Sequence, residues 1–333
     1  MPGTEDLLRE EIRRRASAKV QFLPSRRADE HHFLCDMKPA RLQALRLCHA
    51  LHVRKDFPVI RPRGLLSPEH LKALVLLMRA CMAMSSGQKF TGFRFDAAGA
   101  DSPTFQRLGE ALAKELGLPH DAESGECLLT VRPADNGWEV LCRVGARPLS
   151  TRLWRVANYH GSLNANLAAA MVELSAPSPA DRFLNTMCGS GTLLIERLKR
   201  ARVACAWGVD DSGFALETAT NNRRKAAVQD GVGLLRADAR QLPFAEDSFD
   251  VVCADLPWGE SHGKRSSNPQ LYQQSFAEAG RVCRTGGKFV ALTQDRKSLA
   301  TVDDEISRYW DLSAERTFVQ RGFRPTCLVY VRR

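Results

Sequence analysis

NTMCGSGTLLIE, residues 185 to 196, is the stretch that decides the fold. It follows a short apolar run and continues into a helical pattern, which predicts a tight turn from a strand into a helix. Gly189 and Gly191 remove side chains at that turn, so the backbone can lie close to a ligand. The stretch therefore predicts the binding turn of an α/β sheet.

Strand and helix patterns alternate from residue 182 to residue 293, which is typical of a doubly wound sheet. A final pair of strand patterns, residues 312–320 and 326–331 around Gly322, predicts a hairpin that adds an antiparallel edge. The Ser- and Pro-rich segment SAPSPAD, residues 175–181, marks where this domain begins. We place the domain at residues 176–333 and expect a Rossmann-like fold.

Two further strand patterns end in carboxylates that suit a nucleoside. VDDS follows the glycine turn by about 20 residues, and a carboxylate there can accept both ribose hydroxyls. Asp210 is better placed than Asp211, because it ends the apolar run. The next strand pattern ends at Asp238 and Ala239, where a carboxylate can accept from an adenine amino group. All these strand ends meet at the carboxyl edge of such a sheet.

ADLPWG, residues 254–259, follows the apolar run 249–253 and places Asp255 and Trp258 at another strand end. Pro257 fixes its own φ and Gly259 permits a sharp turn, so the loop can be stiff. A carboxylate beside a flat ring suits the exocyclic amine of a planar base. Taken alone, the stretch is equally compatible with an ordinary loop.

The composition favours a polyanionic partner. The 333 residues include 48 Lys and Arg against 38 Asp and Glu, a formal net charge of +10. Basic residues gain free energy by releasing counterions from phosphates, although a basic protein with solvated charges gives the same composition. The ten cysteines form no CxxC pair and are expected to be reduced. His49 and His52 have no further candidate ligands at a suitable spacing, so we expect no metal. The sequence has no long apolar run, so we expect no membrane partner and a cytoplasmic location.

The first half of the chain predicts small α+β units. Helix patterns cover residues 1–15 and 38–51, with strand patterns at 19–23 and 32–37. Residues 53–66 carry Pro and Gly among basic residues and are predicted to be a linker. A second unit combines helices at 67–84 and 103–116, a strand at 90–95 and a hairpin of strands 127–132 and 138–144 around Gly137.

These motifs resemble those of class I S-adenosylmethionine-dependent methyltransferases. CGSGT, GVDDS, ADARQLPFAEDSFDVV and DLPWG match the successive motifs, and the last resembles the amino-methylating branch. PGTEDLLREE, GARPLSTRLWR and ATNNRRKAA are similar to the THUMP-containing RNA guanosine N2-methyltransferases, which act on tRNA. The resemblance implies S-adenosylmethionine as cofactor and tRNA or another structured RNA as partner. It also implies a ferredoxin-like domain at 1–55, a THUMP-like RNA-binding domain at 56–145, a linker and helix at 146–175, and the methyltransferase domain at 176–333.

The resemblance assigns site residues. The residues expected to bind the cofactor are Asn185, Met187, Cys188, Gly189, Ser190, Gly191, Thr192, Asp210, Asp211, Asp238, Ala239 and Asp255. The residues expected at the methylated amine are Asp255, Leu256, Pro257 and Trp258. Those expected to contact RNA are Arg147, Arg152, Arg155, Lys264 and Arg265.

One departure affects the cofactor. The family usually begins its glycine motif with Asp-Pro, whereas this chain has Asn185 and Thr186. Asn185 loses the charge-assisted contact to the cofactor's ammonium, so weaker affinity is expected.

In the expected mechanism, Asp255 accepts a hydrogen bond from one hydrogen of guanine N2, and the Leu256 carbonyl accepts from the other. Trp258 is expected to stack on the flipped base. Two alternatives stay open: an amino-methyltransferase on ribosomal RNA or DNA, and an RNA-binding protein that keeps the fold without turnover.

Overall fold

A computed structural model describes residues 2–16, 19–25, 27–85, 87–158, 160–228, 231–258, 265–320 and 322–333, with only the backbone of Arg265. The chain forms two compact units. The C-terminal unit comprises residues 1–9, 25–31 and 152–333, and the N-terminal unit comprises residues 10–24 and 32–151. The division predicted at residue 55 stays a prediction.

The N-terminal unit is a four-stranded sheet with two long helices. Its elements, with the helix α1 that begins in the other unit, are α1 (Glu5–Arg15), β1 (Gln21–Leu23), β2 (His32–Leu34), α2 (Pro39–Gln43), β3 (His52–Phe57), α3 (Pro68–Met84), β4 (Phe93–Ala97), α4 (Pro103–Leu116), β5 (Cys127–Ala134) and β6 (Gly137–Arg143). The strand order is β3-β6-β5-β4, with β4 parallel to β5 and the other pairs antiparallel. Apolar side chains of α3, α4 and this sheet share one core.

Two sequence predictions for this unit are wrong. The predicted linker 53–66 contains β3, which pairs with β6 along its whole length and buries Phe57. The predicted helix 38–51 ends at Gln43. The buried carboxylate of Glu11 accepts from the backbone N–H groups of Arg46 and Leu47, each at 3.0 Å, so these donors are satisfied outside a helix.

The C-terminal unit is built on a seven-stranded sheet. Its elements are α5 (Ala165–Leu174), β7 (Arg182–Thr186), α6 (Thr192–Arg200), β8 (Cys205–Asp210), α7 (Gly213–Ala226), β9 (Val232–Arg236), β10 (Phe249–Asp255), α8 (Asn268–Val282), β11 (Cys283–Thr293), α9 (Arg296–Ala300), α10 (Asp303–Ile306), β12 (Trp310–Thr317) and β13 (Thr326–Arg332). The order is β12-β13-β11-β10-β7-β8-β9, and β13 runs antiparallel to both its neighbours. The predicted doubly wound sheet and its antiparallel edge are confirmed.

The strand order places the site. From β7 the chain proceeds outward to β8 and β9, and then returns to the other side of β7 as β10. Ligands of such sheets bind at this reversal, outside the carboxyl ends of the strands. The reversal lies between the ends of β7 and β10, next to Asn185 and Asp255.

Among the described residues, no helix combines the length and apolar character needed to cross a membrane. Within the same residues, no cluster of three or more His, Cys, Asp or Glu side chains is arranged to hold a metal ion.

Candidate active site

The glycine turn joins β7 to α6 through left-handed backbone. Met187, Gly189 and Gly191 have φ values of 53°, 52° and 75°. At Gly191 a Cβ would lie 3.0 Å from the Cβ of Ala219 in α7, so glycine serves both the conformation and the close approach. The Cys188 N–H donates to the Val209 carbonyl at 2.8 Å, which fastens the turn to β8. The turn thus brings the N-terminus of α6 to the sheet edge.

Asp210 ties this turn to the end of β8. Its Oδ2 accepts from the Gly189 N–H at 2.8 Å, and its Oδ1 accepts from the Ser212 N–H at 3.0 Å. Each carboxylate oxygen can accept more than one hydrogen bond, so both can still accept from ribose hydroxyls. Asp211 lies beside it and is exposed. The predicted ribose acceptor is therefore held in place before any ligand binds.

Asp238 has a partner that was not predicted from the sequence. The Arg240 side chain donates to both of its oxygens, with Nη2 at 2.6 Å from Oδ2, and the Arg240 backbone N–H donates to Oδ1 at 2.8 Å. The hydrogen bond from the guanidinium lowers the pKa of Asp238. Contact between Asp238 and an adenine amino group stays a prediction, and it competes with Arg240.

Asn185 is held as an amide. Its Nδ2 donates to the carbonyls of Thr186 at 3.1 Å and Cys253 at 3.2 Å. Its Oδ1 is buried and has no hydrogen-bond partner among the described residues. An aspartate would place an acceptor against those two carbonyls. The amide thus directs a free acceptor oxygen into the site while its donors bind the sheet.

Asp255 ends β10 with a free carboxylate oxygen. Burial raises the pKa of its carboxyl to about 7, and its Oδ1 has no partner among the described residues. In the next residue the Leu256 N–H donates to the Leu292 carbonyl at 2.9 Å, which extends the sheet by one bond. The carboxyl is therefore available to a ligand, as an acceptor when ionised.

Buried side chains clamp the loop after Asp255. The Pro257 carbonyl accepts from the Tyr272 hydroxyl at 2.5 Å and from Asn268 Nδ2 at 3.2 Å. Asn268 also donates to Asp295 at 2.9 Å, and the Tyr272 hydroxyl lies 2.9 Å from Thr293 Oγ1. The Pro257 carbonyl is thus satisfied within the protein. The role predicted for the Leu256 carbonyl stays a prediction.

Trp258 faces an aromatic side chain from the β12–β13 turn. The ring centroids of Trp258 and Phe323 are 6.4 Å apart, with the planes inclined by 45°. Phe323 is 43% exposed, and Trp258 Nε1 is buried without a partner among the described residues.

These groups line one cavity of about 730 Å³. The predicted cofactor and amine-site residues that line it are Asn185, Met187, Cys188, Gly189, Ser190, Thr192, Asp210, Asp211, Asp238, Ala239, Asp255, Leu256, Pro257 and Trp258. Gly191, which was also expected to bind the cofactor, is buried and does not line the cavity. The other lining residues were not predicted from the sequence: Gly161, Ser162, Leu163, Asn164, Leu167, Leu193, Ala237, Arg240, Ser267, Asn268, Gln270, Leu271, Gln320 and Phe323. The QRGFRP stretch at 320–325, an aromatic residue between arginines, was a signal for Phe323.

The residues predicted to contact RNA differ in their exposure. Arg147 is exposed. Arg152 is buried and its Nε lies 2.8 Å from Glu196, so the prediction of an RNA contact is wrong for this side chain. Arg155 is half-buried and its Nη2 donates to the Leu163 carbonyl at 2.8 Å and Thr192 Oγ1 at 2.6 Å, which fits a structural role better. Lys264 and the Arg265 side chain lie outside the described residues.

Asn222 in α7 joins the segment after Arg155 to the glycine turn. Its Oδ1 accepts from the N–H groups of Val156 at 2.9 Å and Ala157 at 3.0 Å. Its Nδ2 donates to the carbonyls of Ala157 and Ser190, each at 3.1 Å. All its polar valences are thus engaged by backbone, and no exposed surface remains on this residue.

The cavity fits S-adenosylmethionine. Its volume lies in the range of small-molecule sites. The free Oδ1 of Asn185 can accept from an ammonium, and Asp210 can accept from ribose hydroxyls. The glycine turn leaves room for close backbone approach.

Comparisons with known proteins indicate the family of the chain. The family model described as "RMKL-like, methyltransferase domain" matches residues 152–315. A Thermus thermophilus protein named tRNA (guanine(6)-N2)-methyltransferase is 30% identical over 308 residues, which cover 88% of this chain and 87% of that protein. A Bos taurus protein named tRNA (guanine(6)-N(2))-methyltransferase THUMP3 is 31% identical over 161 residues, 45% of this chain and 32% of that protein. The chain thus matches about a third of the length of this relative.

Solved structures share the fold. TrmN from Thermus thermophilus matches with a TM-score of 0.72 at 24% identity and covers 100% of this chain and 97% of that one. A possible methylase from Clostridium difficile 630 matches with a TM-score of 0.68 at 16% identity, covering 99% and 96%. With the near full-length Thermus relative, these findings place the chain in one family: it belongs to the RMKL-like, class I S-adenosylmethionine-dependent methyltransferases, together with proteins named tRNA (guanine(6)-N2)-methyltransferase.

Proposed function

We propose that the protein transfers a methyl group from S-adenosylmethionine to the exocyclic N2 of a guanosine in tRNA, at position 6. The observation that carries the proposal is the free Asp255 carboxylate oxygen, which lies in the same cavity as Asn185, Asp210 and the Trp258 ring. The names of the Thermus and Bos taurus relatives support the choice of guanine N2 and of the position.

The protein's contribution to this reaction is alignment. The bound cofactor supplies a methyl group already activated by its sulfonium sulfur. Asn185 and the glycine turn orient the amino-acid end of the cofactor, and Asp210 orients its ribose. The hydrogen bonds to the Pro257 carbonyl keep the loop from shifting. Asp255 and Trp258 therefore keep their positions relative to the cofactor half of the cavity, which is the part lined by Asn185, the glycine turn and Asp210.

Asp255 acts on the amine. When ionised, its carboxylate accepts one N2 hydrogen and directs the nitrogen lone pair toward the methyl group. As the nitrogen takes the methyl group, whose bond to the cofactor's sulfur would break with the thioether as leaving group, the amine becomes acidic and its proton passes to the carboxylate. The pKa of about 7 lets this carboxyl take up and release a proton near neutral pH. Trp258 stacks on the extruded base.

The test uses an in vitro transcribed tRNA with guanosine at position 6 and S-adenosylmethionine labelled in the methyl group. We expect N2-methylguanosine on nucleoside analysis, and none from the same transcript with adenosine at position 6. The Asp255→Ala variant serves as the catalytic control. If the wild-type protein leaves the guanosine transcript unmethylated, the proposed function is wrong.

A second substrate follows from another relative. A Bos taurus protein named U6 snRNA (guanine-N(2))-methyltransferase THUMPD2 is 28% identical over 188 residues. A U6 snRNA transcript in the same assay distinguishes the two RNAs.

Calorimetry with S-adenosylhomocysteine addresses the non-catalytic alternative, because a protein without turnover and without cofactor binding gives no heat.

A further inference from the structure

We propose that the turn between β12 and β13 forms the second wall of the target-base site, with Phe323 stacking on the face of the base opposite Trp258. The inference rests on the proposed function and assigns to Phe323 a direct contact with the substrate. Neither the sequence motifs nor the family resemblance assigns a role to this residue.

The spacing of the two rings suits an inserted base. Stacked bases lie about 3.4 Å apart, so a base between two rings requires ring centroids about 7 Å apart. The Trp258 and Phe323 centroids are 6.4 Å apart. A small opening, with the rings turning from their 45° inclination toward parallel, would admit one planar base.

The turn that carries Phe323 is closed by backbone hydrogen bonds. The Gln320 N–H donates to the Phe323 carbonyl at 3.0 Å, and the Phe323 N–H donates to the Gln320 carbonyl at 2.8 Å. Gly322 has φ 85°, which suits glycine in a tight turn. The backbone that carries the exposed ring is therefore fixed, while the ring itself can turn.

The N-terminal segment of the same unit braces this hairpin. The Val319 N–H donates to the Pro2 carbonyl at 3.2 Å, and Phe318 is fully buried below the turn. At Gly3 a Cβ would lie 2.6 Å from the Thr317 carbonyl oxygen, so the chain passes too close for any side chain. Arg316 forms a two-pronged ion pair with Asp6, with contacts of 2.5 and 2.9 Å. Phe323 thus remains 43% exposed on a braced element.

The polar groups beside the rings specify the kind of occupant. Asp255 Oδ1 and Trp258 Nε1 lack partners among the described residues, and both residues line the cavity with Gln320. An occupant with a donor on its edge satisfies Asp255, and a flat occupant stacks on Trp258, whose indole N–H lies in the ring plane and therefore points past the stacked base. A guanine base meets these requirements, while the ribose and glycine contacts at Asp210 and Gly189 belong to the cofactor half.

The test compares three variants on the tRNA transcript with guanosine at position 6. Phe323→Ala removes the ring, Phe323→Tyr keeps it, and Leu312→Ala removes a similarly exposed apolar side chain from β12 of the same hairpin. We measure kcat and KM for the transcript, and the affinity for S-adenosylhomocysteine by calorimetry. The calorimetry separates loss of base contact from damage to the fold.

Phe323→Ala is expected to lower kcat/KM by about 5- to 100-fold, in line with the loss of one stacking contact. Phe323→Tyr should stay within about threefold of the wild type and Leu312→Ala within about twofold, with S-adenosylhomocysteine affinity unchanged in all three. If the wild type is active and Phe323→Ala matches Leu312→Ala, the inference alone is overturned. A wild-type protein that is inactive on the transcript overturns the proposed function, and with it this inference.

Discussion

The two halves of the cavity differ in how their polar groups are satisfied. In the cofactor half, Asp210 binds backbone N–H groups of the glycine turn and of Ser212, and Asp238 binds Arg240. In the base half, Asp255 Oδ1 and Trp258 Nε1 have no partners among the described residues, although the loop that carries them is clamped. Apart from Asn185 Oδ1, the polar groups named in the cofactor half are bonded without a ligand, whereas the base half leaves groups for a ligand to complete.

The difference separates two uses of polar groups. A buried group without a partner costs about 1–3 kcal/mol, so it persists where a ligand supplies the missing bond. Groups that are already bonded hold the geometry and gain less from a ligand. Substitutions in the base half should therefore impair methyl transfer, and those in the cofactor half should first affect stability or cofactor binding.

Asp255→Asn is expected to have the largest effect. The amide keeps the size of the side chain but can neither carry the charge nor take the proton, so methyl transfer to the tRNA transcript should fall by about 10²- to 10⁴-fold. S-adenosylhomocysteine affinity, measured by calorimetry, should change by less than about threefold. Transfer that stays within tenfold of the wild type would show that Asp255 is not the amine acceptor.

Asn222→Ala tests the cofactor half, where most polar groups are already hydrogen-bonded. The substitution leaves the Val156 and Ala157 N–H groups and the Ser190 carbonyl without the partner that now binds them. We expect the free energy of unfolding in urea to fall by about 2–4 kcal/mol. Asn221→Ala, at the adjacent exposed position, is the matched control and should change it by less than about 0.5 kcal/mol. Equal effects at both positions would contradict the proposed link between the segment and the turn.

The raised pKa of Asp255 predicts a pH-dependent cost. The pKa of this carboxyl is about 7 in the folded protein and near its ordinary value of 3.8 in the unfolded chain, so stability is lost progressively as the pH rises from about 4 to 7. Asp255→Asn removes this cost. The variant should exceed the wild type by up to about 4 kcal/mol at pH 8.5 and nearly match it at pH 4, as measured by urea unfolding. If the two proteins differ in unfolding free energy by the same amount at both pH values, burial does not raise the pKa of this carboxyl.

The sequence predicted the sheet and most of the cofactor half because their signals are local. Glycines at a turn and carboxylates at the ends of apolar runs occupy adjacent positions, and the strand order brings them together. The errors came from contacts between distant residues. β3 was taken for a linker because its partner β6 lies some 80 residues on, and Arg152 was assigned to RNA because its partner Glu196 was not foreseeable. Phe323 enters the cavity from the last hairpin, which no strand-end motif indicates.

Asn185 resembles the residues of the base half, because it keeps a buried polar atom without a partner among the described residues. It lies in the cofactor half but keeps a free Oδ1, whose expected ligand is the cofactor's ammonium. Asn185→Ala should weaken S-adenosylhomocysteine binding by about tenfold in calorimetry, the value of one hydrogen bond to a charged group. Asn221→Ala again serves as control. Unchanged affinity would remove Asn185 from the cofactor site.

Arg240→Ala is expected to have the smallest effect. The Arg240 and Asp238 side chains are 49% and 41% exposed, so solvent and salt screen their ion pair and its loss should matter little. Removing the guanidinium also frees the Asp238 carboxylate to accept from adenine, which offsets the lost contact. S-adenosylhomocysteine affinity should therefore stay within about threefold of the wild type at 0.15 M salt. A tenfold loss would mean that Arg240 itself contacts the ligand, and a tenfold gain would mean that it competes with adenine for Asp238.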